Sequence, residues 1–561
     1  MAYMKLGDLL TSAGVIDDSQ LEKALTIQKE TRERLGDVLI ENNIISEKQL
    51  IEALQIQLGV DFIDLTTVNI PVELAKYVPK NIARKHGVVP VKLVKNELYV
   101  AMSDPLNFVA LEEIKAASRK TIIPLIATRA ATEHAISTLY GNEGAARAIE
   151  EMKKEAVPDI VPAQVSELQD DSSSAAPTIR FVNSVIERAI SEHASDIHLE
   201  PQEDEMVVRM RIDGLLRKIL TVPANLQAPV ISRLKIMGNM NISERKIPQD
   251  GRANVTMKGR DIDLRISSLP TVYGEKIVIR LLDKSASFMG KNTIGLDGED
   301  LKKYEALLQN SSGVILIVGP TGSGKSTTMY TMVKELAREE VNIVTLEDPV
   351  EYNISGINQC QINEKTGMTF ASGLRSILRQ DPDIISVGEI RDGETGTIAM
   401  RAAITGHLVL STLHTNDAIS TIDRLADIGI EPYLISSALK GVVSQRLVRR
   451  ICPNCRKAYK PTPEQLRFLG MPEDSDVEFY RGEGCPTCFH TGYRGRQAVF
   501  EILVINREIE RLVNARAPHE KIAEAVKRTD FVPMKENCRR LVLEGATTAE
   551  EAFRVVNTTE E

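Results

Sequence analysis

The stretch GPTGSGKST, Gly319 to Thr327, follows the apolar run VILIV and opens the helix-patterned segment TTMYTMVKELA. A strand, a glycine-rich turn and a helix in that order are the setting a phosphate-binding loop requires. The glycines let backbone N–H groups close on phosphate oxygens. Lys325 supplies positive charge at the β- and γ-phosphates, and Ser326 offers a hydroxyl to magnesium at the helix N-terminus. The candidate nucleotide contacts are Gly319, Pro320, Thr321, Gly322, Ser323, Gly324, Lys325, Ser326 and Thr327. Around this loop, from about residue 291 to the C-terminus, the apolar runs VILIVGP, NIVTLEDP, IISVGEI and HLVLSTL alternate with helical segments. That alternation predicts an α/β domain built on a parallel, doubly wound sheet.

Three of these runs end in acids or histidines: TLEDPVE carries Glu347, Asp348 and Glu351, DPDIISVGEIRD carries Glu389, and GHLVLSTLHTND carries His407 and His414. Strand ends of a parallel sheet converge on the ligand-bearing edge, so the group is expected beside the phosphate loop. One carboxylate there can hold magnesium, together with Ser326, and another can orient or deprotonate an attacking water.

At 561 residues the chain exceeds what one hydrophobic core supports, so about three or four domains are expected. Residues 178–290 hold a helix, FVNSVIERAISEHA, and the alternating runs EMVVRMRIDG, LLRKILTV, RANVTMKGRDIDLRISSLPTV and EKIVIRLLD, which predict an α+β domain. Residues 141–177 shift to Ala, Glu, Lys, Pro and Ser and read as a flexible linker, with helix persisting in its first half through ARAIEEMKKEA. Upstream, residues 60–140 read as a small α+β subdomain containing the strands GVVPVKL and ELYVAMSDP.

Four of the six cysteines form CPNC, Cys452 to Cys455, and CPTC, Cys485 to Cys488. Two such pairs can close a tetrahedral thiolate site around zinc with no open position, so a structural metal is expected. Cys360 and Cys538 stand alone and read as buried thiols.

The phosphate loop, the acidic box around Glu347, the atypical Walker B segment around Glu389 and the histidine box resemble those of secretion-superfamily ATPases. The match is to the type IV pilus assembly and type II secretion motors (PilB/GspE type). The resemblance implies a RecA-like ATPase domain, residues 291–561, with a zinc element at 452–488 and a helical C-terminal region. It implies a PAS-like α+β domain before it, matched here by ASDIHLEP, RMRIDG, PQDGR and DLRISSLPTVYGEKIVIRLL. It further implies a homo-hexamer that hydrolyses ATP, with Glu347 as water activator, Glu389 in the magnesium shell and His414 as γ-phosphate sensor. Which of Glu347 and Glu389 is the base stays open. Arg209, Arg211, Arg265 and Arg280 are the candidates for positive charge reaching a neighbouring phosphate site. The zinc pairs and the long N-terminal region place the resemblance with the extension or secretion branch. Its implied partners are an inner-membrane platform protein and accessory cytoplasmic subunits. A nucleotide-holding switch without turnover is the rival class, and so many potential catalytic groups favour the motor.

The chain opens with a repeat. KLGDLLTSAGVIDDSQLEKALTIQ, residues 5–28, returns as RLGDVLIENNIISEKQLIEALQIQ, residues 34–57, with 11 of 24 positions identical. Each copy carries a capping-box-like start, at 17–20 and 46–49, followed by a stripe: Leu21, Leu25 and Gln28 in one, Leu50, Leu54 and Gln57 in the other. Periodicity alone describes a duplicated helical hairpin packing on itself. The pattern also resembles the paired 24-residue motifs of the MshEN domain, here covering residues 1–140, which implies that cyclic di-GMP binds. The implied contacts are Lys5, Leu6, Gly7, Leu21, Leu25, Gln28, Arg34, Leu35, Gly36, Asp37, Leu50, Leu54, Gln57 and Asp104. Lys5 stands where that pattern has Arg and offers a point charge instead of a planar fork.

A formal net charge of -9 argues against direct nucleic-acid binding, although Arg446, Arg449 and Arg450 form a local basic cluster. No apolar run approaches the roughly 20 residues that span a bilayer, and no secretory signal pattern opens the chain, so a cytoplasmic protein recruited to the membrane face is expected.

Overall fold

The computed structural model describes residues 7, 10–11, 15–31, 35, 38–39, 42, 44–45, 53, 55, 59–65, 68, 70–105, 107–154, 176–257, 260–283, 290–291 and 294–557. Lys5, Leu6, Arg34, Gly36, Asp37, Leu50, Leu54, Gln57 and the second capping segment lie outside them, as does the linker from 155 to 175. The chain divides into two compact units, Met1–Leu281 with Cys485–His490, and Leu282–Gly484 with Thr491–Glu561.

The first unit begins with the duplicated segment. Asp17 caps the helix Asp18–Thr31 reciprocally: its carboxylate accepts from Gln20 N at 2.8 Å while Asp17 N donates to Gln20 Oε1 at 3.0 Å. Equivalent positions 29 residues apart, Leu10 and Leu39, Ile16 and Ile45, Ala24 and Ala53, share one buried cluster. Matching hydrogen bonds, Val15 N to Leu10 O at 3.0 Å and Ile44 N to Leu39 O at 2.9 Å, show that both copies turn alike. The two copies pack on each other through these positions, whereas Leu25 stays 39% exposed.

Next come β1 (Val88–Val94), β2 (Glu97–Met102) and β3 (Thr121–Ile126), a three-stranded sheet with β1 antiparallel and β3 parallel to β2. The helix Arg129–Lys154 runs past the expected boundary at 141. Its far end explains why: Ala148 and Met152 are buried in the core of the following domain, which holds those turns in place.

That domain consists of the helix Pro177–Ser191, then β4 (Asp196–Pro201), β5 (Glu205–Ile212) and β6 (Leu215–Pro223), the helix Gln227–Met237, and β7 (Gln249–Met257), β8 (Arg260–Thr271) and β9 (Gly274–Asp283). The sheet order is β6-β5-β4-β9-β8-β7. Alternating burial along β5 and β8 follows their period-two patterning, one face meeting Phe181, Val185 and Ile186 of the first helix. The run RANVTMKGRDIDLRISSLPTV forms two antiparallel strands, β7 and β8. Inside this fold the Lys235 ammonium, 1% exposed, pairs with Glu275, which also accepts from Ser268 Oγ.

The second unit holds β10 (Gly313–Val318), β11 (Ile343–Glu347), β12 (Asn358–Gln361), β13 (Ile384–Val387), β14 (Leu408–Leu413), β15 (Leu439–Ile451), β16 (Arg456–Tyr459), β17 (Phe479–Gly482) and β18 (Tyr493–Val504). The main sheet runs β12-β11-β13-β14-β10-β15-β18, parallel except for β18. Continuous apolar runs become β10, β13 and β14 because helices cover both faces. Val314 to Val318 are fully buried, which contributes on the order of 10 kcal/mol by area and gives the loop that follows a rigid base. Helices Arg507–Asn514, His519–Lys527, Met534–Leu543 and Ala549–Asn557 complete the expected helical C-terminal region. Among the described residues no helix is long and apolar enough to cross a membrane.

Candidate active site

β10 ends at Val318, and the chain leaves it through Gly319 at φ 144°, where an added Cβ would lie 2.4 Å from the Gln445 carbonyl oxygen of β15. Only glycine fits so close to a neighbouring backbone. The loop ends at Gly324, and Lys325 opens the helix Lys325–Leu336, whose N-terminus faces the loop. Lys325 Nζ donates to the carbonyls of Gly319 at 2.7 Å and Pro320 at 3.1 Å. Burial pushes its pKa down to about 8, opposed by the Glu389 carboxylate and helped by Arg446. The loop is pinned from below by Gln445, 2% exposed, which accepts from Thr328 Oγ1 at 2.6 Å.

Sheet order decides which strand-end residues meet this loop. β14 lies beside β10, so His414, one residue past its end, reaches the lysine: His414 Nδ1 is 3.5 Å from Lys325 Nζ. β13 is next, and Glu389 Oε2 lies 3.4 Å from His414 Nε2. Arg391 pairs with Glu389 and sits 3.8 Å from Asp348. His407 does not join them. It precedes β14, about 20 Å away at the opposite end of a strand of this length, and its Nδ1 is 2.8 Å from Ala402 O. A strand has two ends, and the expectation that both histidines share the ligand edge holds for His414 alone.

Glu347 ends β11, which is three strands from β10, about 14 Å at ordinary strand spacing. Its carboxylate is 3% exposed and set in a polar cradle. Tyr330 and Thr345 hydroxyls donate to it, as does Gln359 Nε2 at 3.0 Å. The contacts thus place Glu389 and His414 with Lys325, and Glu347 in a neighbouring pocket of donors. Glu351 lies on the same loop, its backbone N donating to Tyr330 Oη at 3.1 Å.

Arg446, expected in a basic cluster, and Glu501, which carried no motif, both support this site. Arg446, 4% exposed, donates to Asn416 O at 3.0 Å, and Glu501 accepts from Ala418 N at 2.8 Å and Met534 N at 3.0 Å. Together they hold the segment following His414. Burial pushes the Glu501 carboxyl up. Arg449 binds the Glu551 carboxylate, so only Arg450 of the expected basic cluster is exposed. The cluster alternated between inside and outside along β15, which a count of charges does not register.

Ser326 and Glu389 offer hard oxygen donors of the kind magnesium takes. At the second candidate metal centre, Cys452, Cys455, Cys485 and Cys488 bring their sulfurs within 4.8 Å of one another. Four converging thiols suit tetrahedral zinc. Cys538 is fully buried, its thiol pushed up to about 12, whereas Cys360 is only half-buried at the sheet-edge strand β12.

In the first unit the four candidate arginines each face a carboxylate of their own sheet. Arg209 donates to Glu200 at 2.8 Å and Arg280 to Asp196 at 3.1 Å. Arg211 lies 3.7 Å from Asp196 and donates to Gly214 O at 2.9 Å, and Arg265 lies 3.8 Å from Asp263. Of the N-terminal residues, Gly7 is buried, and a Cβ there would approach Leu21 Cδ1 to 2.8 Å, so this glycine serves helix packing. Leu21, Gln28 and Leu35 are half-buried. Asp104 follows β2, and its carbonyl accepts from Asn107 N at 3.2 Å.

A phosphate loop at the C-terminal edge of a mainly parallel sheet, with Lys325, His414 and Glu389 gathered there, defines a RecA-like P-loop ATPase domain. The chain belongs to the type II/IV secretion system protein family, whose profile matches residues 171–554. The MshEN domain profile matches residues 58–146, covering the three-stranded subdomain and not the opening repeat. Type IV pilus assembly ATPase PilB of Myxococcus xanthus is 40% identical over 98% of both chains. The Thermus thermophilus protein of that name is 43% identical over 89% of this chain, which spans 56% of that relative's length. Type II secretion system protein E of Pseudomonas aeruginosa is 45% identical over 70% of this chain and 78% of its own. The solved structure of the Legionella pneumophila ATPase DotB shares the fold, with TM-score 0.52 and 20% identity over 70% of this chain and 99% of its own.

Proposed function

We propose that the chain works as a homo-hexameric ATP hydrolase that drives type IV pilus assembly and responds to cyclic di-GMP at its N-terminus. The observation that carries hydrolysis is the gathering of Lys325, His414 and Glu389 at one sheet edge. Lys325 and the loop amides grip the β- and γ-phosphates, and His414 stands where it can report the γ-phosphate to Glu389. Ser326 and Glu389 would hold magnesium, which supplies charge neutralisation at the phosphates when bound. Glu347 is the water activator in this reading. Arg209, Arg211, Arg265 and Arg280 exchange their carboxylate partners for the phosphates of a neighbouring copy.

Pilus assembly is favoured over type II secretion by coverage: the Myxococcus relative matches from end to end, whereas the Pseudomonas secretion relative leaves 30% of this chain unmatched. Cyclic di-GMP is the ligand implied by the MshEN match together with the duplicated motif, in which Leu21, Leu25 and Gln28 stay partly accessible. The Cys452, Cys455, Cys485 and Cys488 thiolates would hold zinc as a structural crosslink. The working partners are an inner-membrane platform protein and accessory subunits at the cytoplasmic face.

Phosphate release by the full chain tests the motor. Magnesium-dependent turnover that Glu389→Gln abolishes is expected, and wild-type release no faster than the variant's would leave a nucleotide-holding switch. Calorimetry of the full chain with cyclic di-GMP tests the regulator, and absence of binding heat in a folded sample would remove it.

A further inference from the structure

The helix that begins with the loop lysine also carries the group that holds Glu347. Tyr330 lies five residues after Lys325 on the helix Lys325–Leu336 and is 3% exposed. Its hydroxyl donates to Glu347 Oε2 and accepts from Glu351 N at 3.1 Å. The ring is fixed edge-on against Tyr352, with centroids 5.8 Å apart and planes at 78°. On the other side of the carboxylate, Thr345 and Gln359 are register partners on adjacent parallel strands, and both donate to Oε1. Glu347 is therefore oriented from three elements, one of which is the phosphate-gripping helix itself. Burial and the adjacent carboxylate push the Tyr330 hydroxyl up, so it remains a donor throughout the working pH range.

We infer that Tyr330 is a positioning residue for hydrolysis, transmitting the placement of the phosphate loop to the Glu347 carboxylate. This rests on the reading of Glu347 as water activator. The geometry is direct: a phosphate pulling on Lys325 pulls on the helix whose sixth residue steers Oε2. An in-line attack needs the activated water aligned with the γ-phosphate, and small misplacements of the activating group are costly. A tyrosine that only filled space would need no oxygen there.

The test is steady-state ATP turnover by the full chain carrying Tyr330→Phe, Thr345→Val, Glu347→Gln or the Tyr330→Phe/Glu347→Gln pair, with melting temperatures measured alongside. Tyr330→Phe is expected to lower kcat about tenfold or more, with KM for ATP within about twofold and the melting temperature kept. Thr345→Val, acting on the other carboxylate oxygen from a different element, is expected to do the same. The pair should be no slower than Glu347→Gln alone, a non-additivity that lost packing would not produce. Wild-type kcat in Tyr330→Phe, with Glu347→Gln inactive, overturns the positioning role of Tyr330 and leaves Glu347 in place. Wild-type kcat in Glu347→Gln overturns the reading beneath it.

Discussion

His414 Nδ1 lies 3.5 Å from the Lys325 ammonium, while its Nε2 lies 3.4 Å from Glu389 Oε2. The ammonium can only donate, so Nδ1 is the acceptor of that contact, and Nε2 faces the carboxylate. The imidazole thereby connects the loop lysine to the Glu389 carboxylate. Replacing it with Ala is expected to reduce kcat about 10- to 100-fold while KM for ATP changes little, since the lysine and loop amides keep their hold on the phosphates. Phosphate release at saturating ATP measures this.

Lys325 gives a pH dependence. Its pKa is lowered by burial to about 8, so the ammonium is present below that pH and lost as pH rises through it. Only the charged form attracts phosphate. The dissociation constant for a fluorescent ATP analogue is expected to stay flat from pH 6.5 to 7.5 and then to weaken, approaching about tenfold per pH unit well above pH 8. A constant affinity up to pH 9.5 would contradict it.

The C-terminal helix Ala549–Asn557 is tied down by Glu551, which is 1% exposed and binds Arg449 at 2.7 Å and Arg554 at 2.6 Å. Burial opposes its charge, but the two arginines win and hold the carboxyl down at about 2, below its ordinary value of 4.5. A folded-state pKa below the unfolded one contributes stability above pH 4.5 that is lost as pH falls toward 2. Arg554 is more than half exposed and screened, so Glu551→Gln is expected to cost about 2 kcal/mol at pH 7 and progressively less below pH 4. Denaturant melts of the wild type and the variant at pH 7, 4.5 and 3.5 check the narrowing gap.

The four thiols at Cys452, Cys455, Cys485 and Cys488 predict one zinc per chain by elemental analysis. The double variant Cys452→Ser/Cys485→Ser is expected to purify without the metal and to melt several degrees lower. A cysteine-to-serine change at the isolated Cys538 should leave zinc content unchanged.

Much of this protein is legible as local pattern. The phosphate loop, the strands β10, β13 and β14, the paired cysteines and the Asp17 capping box each depend on neighbours within a few residues, where spacing and residue type suffice. The 29-residue repeat likewise announces its own symmetric core, with Leu10 and Leu39 buried together. Helix through 146–154 was legible in the Ala, Glu and Lys content of ARAIEEMKKEA; what holds its last turns, burial of Ala148 and Met152 in a core contributed by distant strands, was not.

Which catalytic candidates meet was decided by tertiary structure. β10 lies between β14 and β15, with β13 and then β11 farther out, an order unrelated to that of the chain. That order brings His414 and Glu389 to Lys325, leaves His407 at the far end of β14, and puts Glu347 under Tyr330, Thr345 and Gln359. Tyr330, Gln445 and Glu501 looked like ordinary helix and strand residues because a buried polar side chain is marked only by its partners, and those lie 17 to 117 residues away. The sequence alone determined that a nucleotide site with a parallel sheet beneath it exists; the packing order of the strands decided which side chains complete it.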